Sequence, residues 1–514
     1  MSSYSHAYNS VVNSLWGIIA SAITVLLNFA VRYFLVRELG EEINGLNSLF
    51  QSIIMMMALM EMGIGSAMII HLYEPLKNRN YSLASGILIF YKKLYSWLAL
   101  VFFTIGVVVS AVLLDSLVQS NIPSLEVKIY FIIFTCSISF DYLTYYKRSI
   151  LFADQKNRIS AGATALSEVV FRSLQIILMI LYKSYLFFLL LLIIEKVVSN
   201  FLCSIYVKKH YPEINLKDNK KIGKEKKIAI FNTIKPLMVN QMSTSVQNSS
   251  TSILIGLLLG NVSIVGYYGS YALLIGVIQQ IYSQFGGAFT TSFGNLAVEN
   301  DKDRMENAFF KAAFILNWLS CFFCPVFIAC SNDFLYVFFG EHFVLPSITV
   351  WIMTINLIIY LISIPAISVQ NALGMHRLDS KLMVVQALLV VVIGYVLGIR
   401  IGLDGILIGM TIPTFLILMI IKGVKMTNYS FCLEKKRYLF YIAAEFVKIL
   451  LSTVSAFFVC QLVNLEASIM IVVIKGFIAG SIGVSIYFIF SFKSNTFSDI
   501  KSQYLCNILK HDRR

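Results

Sequence analysis

The chain has 514 residues, is 58% hydrophobic and 13% charged, and carries a formal net charge of +14 with a mean hydropathy of +0.77. A soluble domain holds about twice that share of charge, and the apolar residues fall in repeated runs of roughly twenty, the length that crosses a bilayer as a helix. A soluble protein is therefore excluded, and because the runs are continuous instead of alternating, so is a β-barrel; no basic stripe with interleaved aromatics lies outside the runs, which argues against a nucleic-acid partner.

In chain order, the first thirty residues contain no Lys or Arg, so the positive flank of a cleavable signal is missing and the first apolar run is expected to remain a membrane helix. About fourteen spans are predicted, near 11–36, 46–70, 94–114, 129–146, 161–182, 186–207, 229–259, 263–292, 306–330, 347–373, 382–400, 405–421, 439–463 and 468–492. Of the 41 Lys and Arg residues, 28 lie in the loops after even-numbered spans and in the C-terminal segment, against four after odd-numbered spans; the other nine are in or beside spans. That bias places the even loops and both termini in the cytoplasm. Cys321 and Cys324 form a C-x-x-C inside the run WLSCFFCPVFIAC, where buried cysteine as a small hydrophobe is a better reading than a metal or redox site.

The longest basic break is 208–228, KKHYPEINLKDNKKIGKEKKI. A weak internal repeat brackets it. Leu39-Gly40 and Leu259-Gly260 are 220 residues apart, as are Asn28 and Asn248; Gly45 and Gly266 follow at similar distances, and Ala153 and Arg158 answer to Ala372 and Arg377. A near-constant offset points to duplication. The expected organisation is an N-terminal six-helix lobe (1–207), a cytoplasmic linker (208–228), a second six-helix lobe (229–430) in the same orientation, two additional spans (431–492) and a cytoplasmic tail (493–514). Parallel repeats with a site between them are a transporter plan.

Charges at bilayer depth are costly, so the few present are candidate functional groups. Arg32 lies toward the outer end of the first span, where it either snorkels or faces a cavity. Glu61, in LMEMGIGSA, is too deep in the second span for its side chain to reach the surface easily. Glu168 and Arg172 are spaced to pair along one helix or to line a cavity. Lys448 and Lys475 read as snorkelled or paired with each other or with Glu445. The seventh span, FNTIKPLMVNQMSTSVQNSSTSILIG, is the most informative: spacings of three and four put Asn240, Thr244, Gln247 and Thr251 on one face, beside Lys235 and Pro236. Such a helix faces protein or a hydrated cavity, not lipid. Gly63, Gly65, Gly286, Gly287 and Pro365 mark helices that can break or pack closely. No Walker loop, H-E-x-x-H or G-x-S-x-G occurs, so neither an ATPase nor a hydrolase is visible, and no cofactor is expected.

Across VRYFLVRELGEEINGLNSLFQSIIMMMALMEMGIGSAMIIHLYEPLKNRN, with its Leu-Gly helix end, NGLNSLFQS segment and Glu-Met-Gly-x-Gly run, the chain resembles the polysaccharide flippases (the Wzx type) of the multidrug/oligosaccharidyl-lipid/polysaccharide exporter superfamily. ILIGLLLGNVSIVGYYGSYALLIG is similar in the second lobe, and the resemblance covers roughly residues 10–430. It implies two six-helix lobes around a central cavity, an all-α polytopic fold in a bacterial cytoplasmic membrane, and transport of an undecaprenyl-pyrophosphate-linked oligosaccharide by alternating access. Arg32, Arg172 and Lys235 are then the candidate contacts to pyrophosphate, Asn240, Thr244, Gln247 and Thr251 the candidate sugar surface, and Glu61 the candidate for H+ or Na+ coupling. Membrane lipids, and glycosyltransferases and a polymerase of the same pathway, are the implied partners. The alternatives are an ion-coupled drug or cation exporter of the same superfamily and a membrane-embedded polysaccharide polymerase. No outer loop is long enough to favour the polymerase, and HLYEPLKNRNY lacks the signature of a major-facilitator carrier.

Overall fold

Inside a bilayer the backbone finds no water, and helices satisfy every peptide group internally. In the computed structural model every secondary-structure element among the described residues is a helix. Residues 3–58, 63–154, 156–214, 222–299, 301–463 and 466–492 are described; within these, the side chains of 3–20, 66, 235–237, 240, 291, 295, 298 and 376–378 are not. The chain divides into two compact units, Met1–Gly266 and Tyr267–Arg514.

The first unit contains α1 (Ser3–Leu39), α2 (Glu41–Met57), α3 (Ile64–Lys77), α4 (Tyr81–Val112), α5 (Leu114–Leu117), α6 (Ser124–Tyr145), α7 (Arg148–Ala153), α8 (Asn157–Tyr182), α9 (Tyr185–His210) and α10 (Lys224–Leu259). Helix α6 packs between α4 and α9, α8 between α1 and α9, and α10 runs along α2 and α3. The long helix α11 (Val262–Glu299) begins in this unit and continues into the second.

The second unit adds α12 (Lys302–Phe339), α13 (Ser347–Leu373), α14 (His376–Ile401), α15 (Leu403–Pro413), a π-helical segment (Thr414–Lys422), α16 (Gly423–Phe431), α17 (Lys435–Gln461) and α18 (Ile469–Ser491). Helix α12 contacts α13, α17 and α18, and α13 packs on α15 and the π segment. The two helices beyond the repeat are held to α12 by charge as well as by apolar contact. Glu445 accepts from Lys448 (2.7 Å), Tyr487 (2.7 Å) and Asn317 (3.1 Å), and Lys475 pairs with Asp333 at 2.7 Å. The pairing of Lys448 with Glu445 is among the arrangements read from its sequence position; Lys475 takes a carboxylate on α12 that the sequence does not single out.

Eleven helices among the described residues are long and apolar enough to span a membrane, which makes this a multi-pass membrane protein. The predicted spans 11–36, 46–70 and 229–259 are helical but are not among the eleven. The second is two helices: α2 ends at Met57, and α3 starts after Gly63, whose φ of 91° no other residue type tolerates easily. The seventh is α10, continuous through Pro236 and rich in Ser, Thr, Asn and Gln. Helices α11 and α13 also run unbroken through Gly286-Gly287 and Pro365. The break that the sequence does not announce follows Pro413, which lacks an N–H to continue the α ladder; nine residues of π-helix follow.

Both Leu-Gly pairs lie at helix ends. Gly40 (φ 90°) and Gly260 (φ 62°) each end a helix in the left-handed region. Past those caps, the repeat-related glycines meet. A Cβ on Gly45 would lie 2.1 Å from the Val262 carbonyl oxygen, and one on Gly266 would lie 2.8 Å from Asn44 Nδ2 and 3.0 Å from the Gly45 nitrogen. Only the absence of both Cβ atoms lets α2 and the start of α11 cross this closely. Gly45→Ala is expected to destabilise the protein by about 1–3 kcal/mol through overpacking, read as a lower midpoint of thermal unfolding in mild detergent. Gly162→Ala, whose Cβ would meet nothing within 4 Å, should leave the midpoint unchanged or slightly raised.

Candidate functional site

The polar groups buried in the first unit fall into three sets. The first surrounds Arg32. Its Nη2 donates to Ser48 Oγ on α2 and to the Gly266 carbonyl at the start of α11, both at 2.9 Å. The side chain thus ties α1, α2 and α11 together at the glycine crossing and does not snorkel. Asn44, 1% exposed beside it, has neither its Nδ2 nor its Oδ1 hydrogen-bonded.

The second set is a polar seam through α6, α8 and α9. Arg172 pairs with Glu195 on α9, Nε to Oε2 at 3.4 Å, and not with Glu168 on its own helix. Glu168 instead accepts from Thr24 of α1. Nearer the C-terminal ends of α6 and α9, Asn200 donates to Asp141 (2.7 Å) and to Thr144 (2.8 Å), and Arg148 donates to Ser199 (2.6 Å) and to Thr164 (2.9 Å). Each charge lost to water is met by a hydrogen bond or an opposite charge, which is the condition for holding it there.

The third set is α10. Its small residues Ser245, Ser249 and Ser252 are buried, as is Thr251 at 1% exposure. With Gly256 above them, where a Cβ would come within 3.0 Å of the Leu117 carbonyl oxygen, they form the packing face toward the rest of the unit. Gln241, Thr244 and Asn248 form a different stripe at spacings of three and four, and all three are exposed; Gln247 is half-buried. The face drawn from sequence through Asn240, Thr244, Gln247 and Thr251 is therefore divided: Thr251 packs inward, while Thr244 joins the exposed row. The side chains of Asn240 and Lys235 lie outside the described residues, as does all of Glu61. At its N-terminal end α10 meets α3 through Thr233 and His71 (3.2 Å) and through Lys226 and Glu74 (3.6 Å).

In the second unit the sequence gives no notice of one buried ion pair. Lys422, at the end of the π segment, lies 2.7 Å from Asp379 of α14, which also accepts from Gln370 of α13 at 3.1 Å. Their side chains are only 6% and 1% exposed. Both residues flank predicted spans and so read as loop residues; helices longer than those spans bring them inside. The same unit holds a cavity of about 390 Å³ between α11, α12 and α18, lined by Ile278, Phe323, Phe327, Phe334, Val473 and Phe477 among others. No group of His, Cys, Asp and Glu suited to a metal ion occurs among the described residues.

Residues 10–290 match the family described as polysaccharide biosynthesis protein. No curated protein matches the sequence. Among solved structures, the chain is similar to the lipid II flippase MurJ in an inward closed conformation (TM-score 0.69, 14% identity, 93% of this chain and 98% of that one). It is also similar to an inward-facing multidrug resistance MATE family transporter of the MOP superfamily (TM-score 0.63, 15% identity, 82% and 94%). A third similar structure is a MOP superfamily transporter from Pyrococcus furiosus described as having a binding pocket of reverse polarity (TM-score 0.52, 16% identity, 82% and 94%). At these identities the likeness establishes a shared transporter fold.

The pair on α8 and α9 makes a direct prediction. Glu195→Gln strands the Arg172 charge and should cost about 3 kcal/mol, whereas Arg172→Leu combined with Glu195→Leu should recover most of that loss. Thermal unfolding of the single variant and the double variant measures both effects.

Proposed function

Because the chain belongs to the polysaccharide biosynthesis protein family, we propose that it is a flippase that carries undecaprenyl-pyrophosphate-linked oligosaccharide repeat units from the cytoplasmic to the outer leaflet of a bacterial cytoplasmic membrane. It works by alternating access, for surface polysaccharides such as capsule or O-antigen. The observation that carries this reading is the row Gln241, Thr244 and Asn248. Three hydrogen-bonding side chains stand exposed on a helix whose opposite face is buried in the protein. Hydrocarbon cannot satisfy the Gln241 and Asn248 amides, so the row belongs beside water or a polar solute. A sugar presents hydroxyls that donate and accept, and amide and hydroxyl side chains match both roles.

The pyrophosphate needs cations. Arg172 has five donors and, among the described residues, one carboxylate partner, which leaves capacity for phosphate oxygens. Arg32 reaches the same end only by exchanging its bonds to Ser48 and Gly266, which would link substrate arrival to loosening of the crossing between α2 and α11. Lys235, Asn240 and Gln247 belong to the same proposed surface, from which the buried Thr251 is withdrawn, and Glu61 is the proposed coupling carboxylate for H+ or Na+. The repeat boundaries 1–207 and 229–430, with both termini cytoplasmic, belong to the same proposal. The nearly wholly apolar cavity between α11, α12 and α18 suits a lipid chain, as expected for a carrier of lipid-linked cargo. Support also comes from the fold shared with a protein described as a lipid II flippase.

The test is reconstitution with a fluorescent lipid-linked oligosaccharide in proteoliposomes. Gln241→Leu, Thr244→Leu and Asn248→Leu together should slow flipping by at least about tenfold, the equivalent of one or two hydrogen bonds to the sugar. The unfolding midpoint should change little, because these side chains are exposed and not part of the buried face of α10. Flipping at the unaltered rate would remove the row from the path. If the protein instead moves cationic drugs and not the lipid-linked sugar, it is an exporter.

A further inference from the structure

The mechanism above leaves unused a group of lysines on the surface of the first unit. Lys92 lies on α4, Lys147 follows the end of α6, and Lys208 lies in the last turn of α9. They sit at matching depth, just before the predicted span 94–114 and just after the predicted spans 129–146 and 186–207. Lys147 is held in place by a 2.6 Å hydrogen bond from Nζ to Ser204 Oγ of α9. Its charged neighbours are Lys208 and Lys92; burial first, and then those two ammonium groups, hold the Lys147 ammonium below the usual lysine range. Among the described residues no carboxylate lies within ion-pair distance of any of the three. Nearby acids are engaged elsewhere, Asp141 with Asn200, Asp154 with Lys156 and Tyr211, and Glu195 with Arg172, and Glu213, five residues beyond Lys208, forms no ion pair with any of the three.

Three like charges gathered here repel one another, and an anion placed among them relieves that repulsion. What lies next to them says which anion. On α4 the side chains of Trp97 and Leu100 are exposed, on α6 Phe140 and Leu143, and on α9 Phe201 and Ile205. On α9, Ile205 and Phe201 lie three and seven residues before Lys208; on α4, Trp97 and Leu100 lie four and seven residues after Lys93, the exposed neighbour of Lys92. The stripe on α9 is thus headed by Lys208, the one on α4 starts beside Lys92, and the one on α6 runs up to the turn that carries Lys147; α6 packs against both of the other helices. A free phosphate ion would use the lysines alone; a lipid with an anionic head group uses the stripes as well.

We propose that Lys92, Lys147 and Lys208 form a binding site for the head group of an anionic phospholipid, whose acyl chains lie along the exposed apolar stripes of α4, α6 and α9. The site is separate from the α10 row and is filled from the bilayer, not by the transported molecule. The basic bias of that end of the helices places it in the cytoplasmic leaflet.

The full-length protein in nanodiscs of mixed phosphatidylglycerol and phosphatidylcholine gives the test, with bound lipid measured by mass spectrometry after delipidation. The wild type should retain phosphatidylglycerol in preference to phosphatidylcholine. Lys92→Gln, Lys147→Gln and Lys208→Gln together should weaken that retention on the order of a hundredfold, from the contribution expected per lysine at an anionic surface. The same loss of charge through Lys224→Gln, Lys435→Gln and Lys436→Gln should leave it unchanged. Equal retention by the two triple variants overturns the proposal. If the first triple variant does not fold, competition on the wild type decides: displacement of phosphatidylglycerol by equimolar phosphatidylcholine overturns the site. Displacement by soluble farnesyl diphosphate also overturns it, since the cluster would then read the diphosphate of the cargo.

Discussion

A polar group at bilayer depth has no solvent to return to. It must be paired, enclosed in protein, or set beside a water-filled path, and leaving it bare costs several kcal/mol. That constraint sorts the polar residues of this chain. Glu445 is enclosed by Lys448, Tyr487 and Asn317; Asp379 by Lys422 and Gln370; Glu195 by Arg172. Once these have been accounted for, the exposed row on α10 stands out, because Gln241, Thr244 and Asn248 have been given neither burial nor lipid-compatible chemistry.

The paired groups do structural work that apolar packing alone leaves undone. Leucine surfaces slide past one another in lipid without penalty, whereas an ion pair fixes rotation and register. Lys475 with Asp333 and the Glu445 cluster set α17 and α18 against α12. Arg32 does so at the crossing of α2 and α11, where Gly45 and Gly266 permit backbone contact. There the buried, unbonded Asn44 makes the contact less comfortable than its tightness suggests. A crossing that is close, latched by one side chain and carries an unsatisfied amide is suited to exist in two states.

Much of this was legible in the sequence. The helical class, the breaks at Leu39-Gly40 and Leu259-Gly260, the discontinuity near Gly63 and the polar character of α10 all follow from residue type and spacing. Partner choice was not legible. Glu168 and Arg172 have ideal spacing for a pair on one helix, yet Thr24 and Glu195 on neighbouring helices take them. Spacing along one helix says nothing of what packs across it. The α10 face was drawn one stripe off for the same reason: Thr251 is polar, but its small size lets it pack inward with the serines. Lys422 was hidden because a π segment carries the helix past the apolar run that marked its end.

The central claim is that the row on α10 borders a hydrated path used by a sugar. Single cysteines introduced as Gln241→Cys, Thr244→Cys and Asn248→Cys, with the native cysteines replaced, can be challenged with a membrane-impermeant thiol reagent, with and without purified lipid-linked oligosaccharide. All three cysteines should be modified, and the oligosaccharide should protect them. Cysteines that stay unmodified, or that are modified at the same rate with the oligosaccharide present, would contradict it.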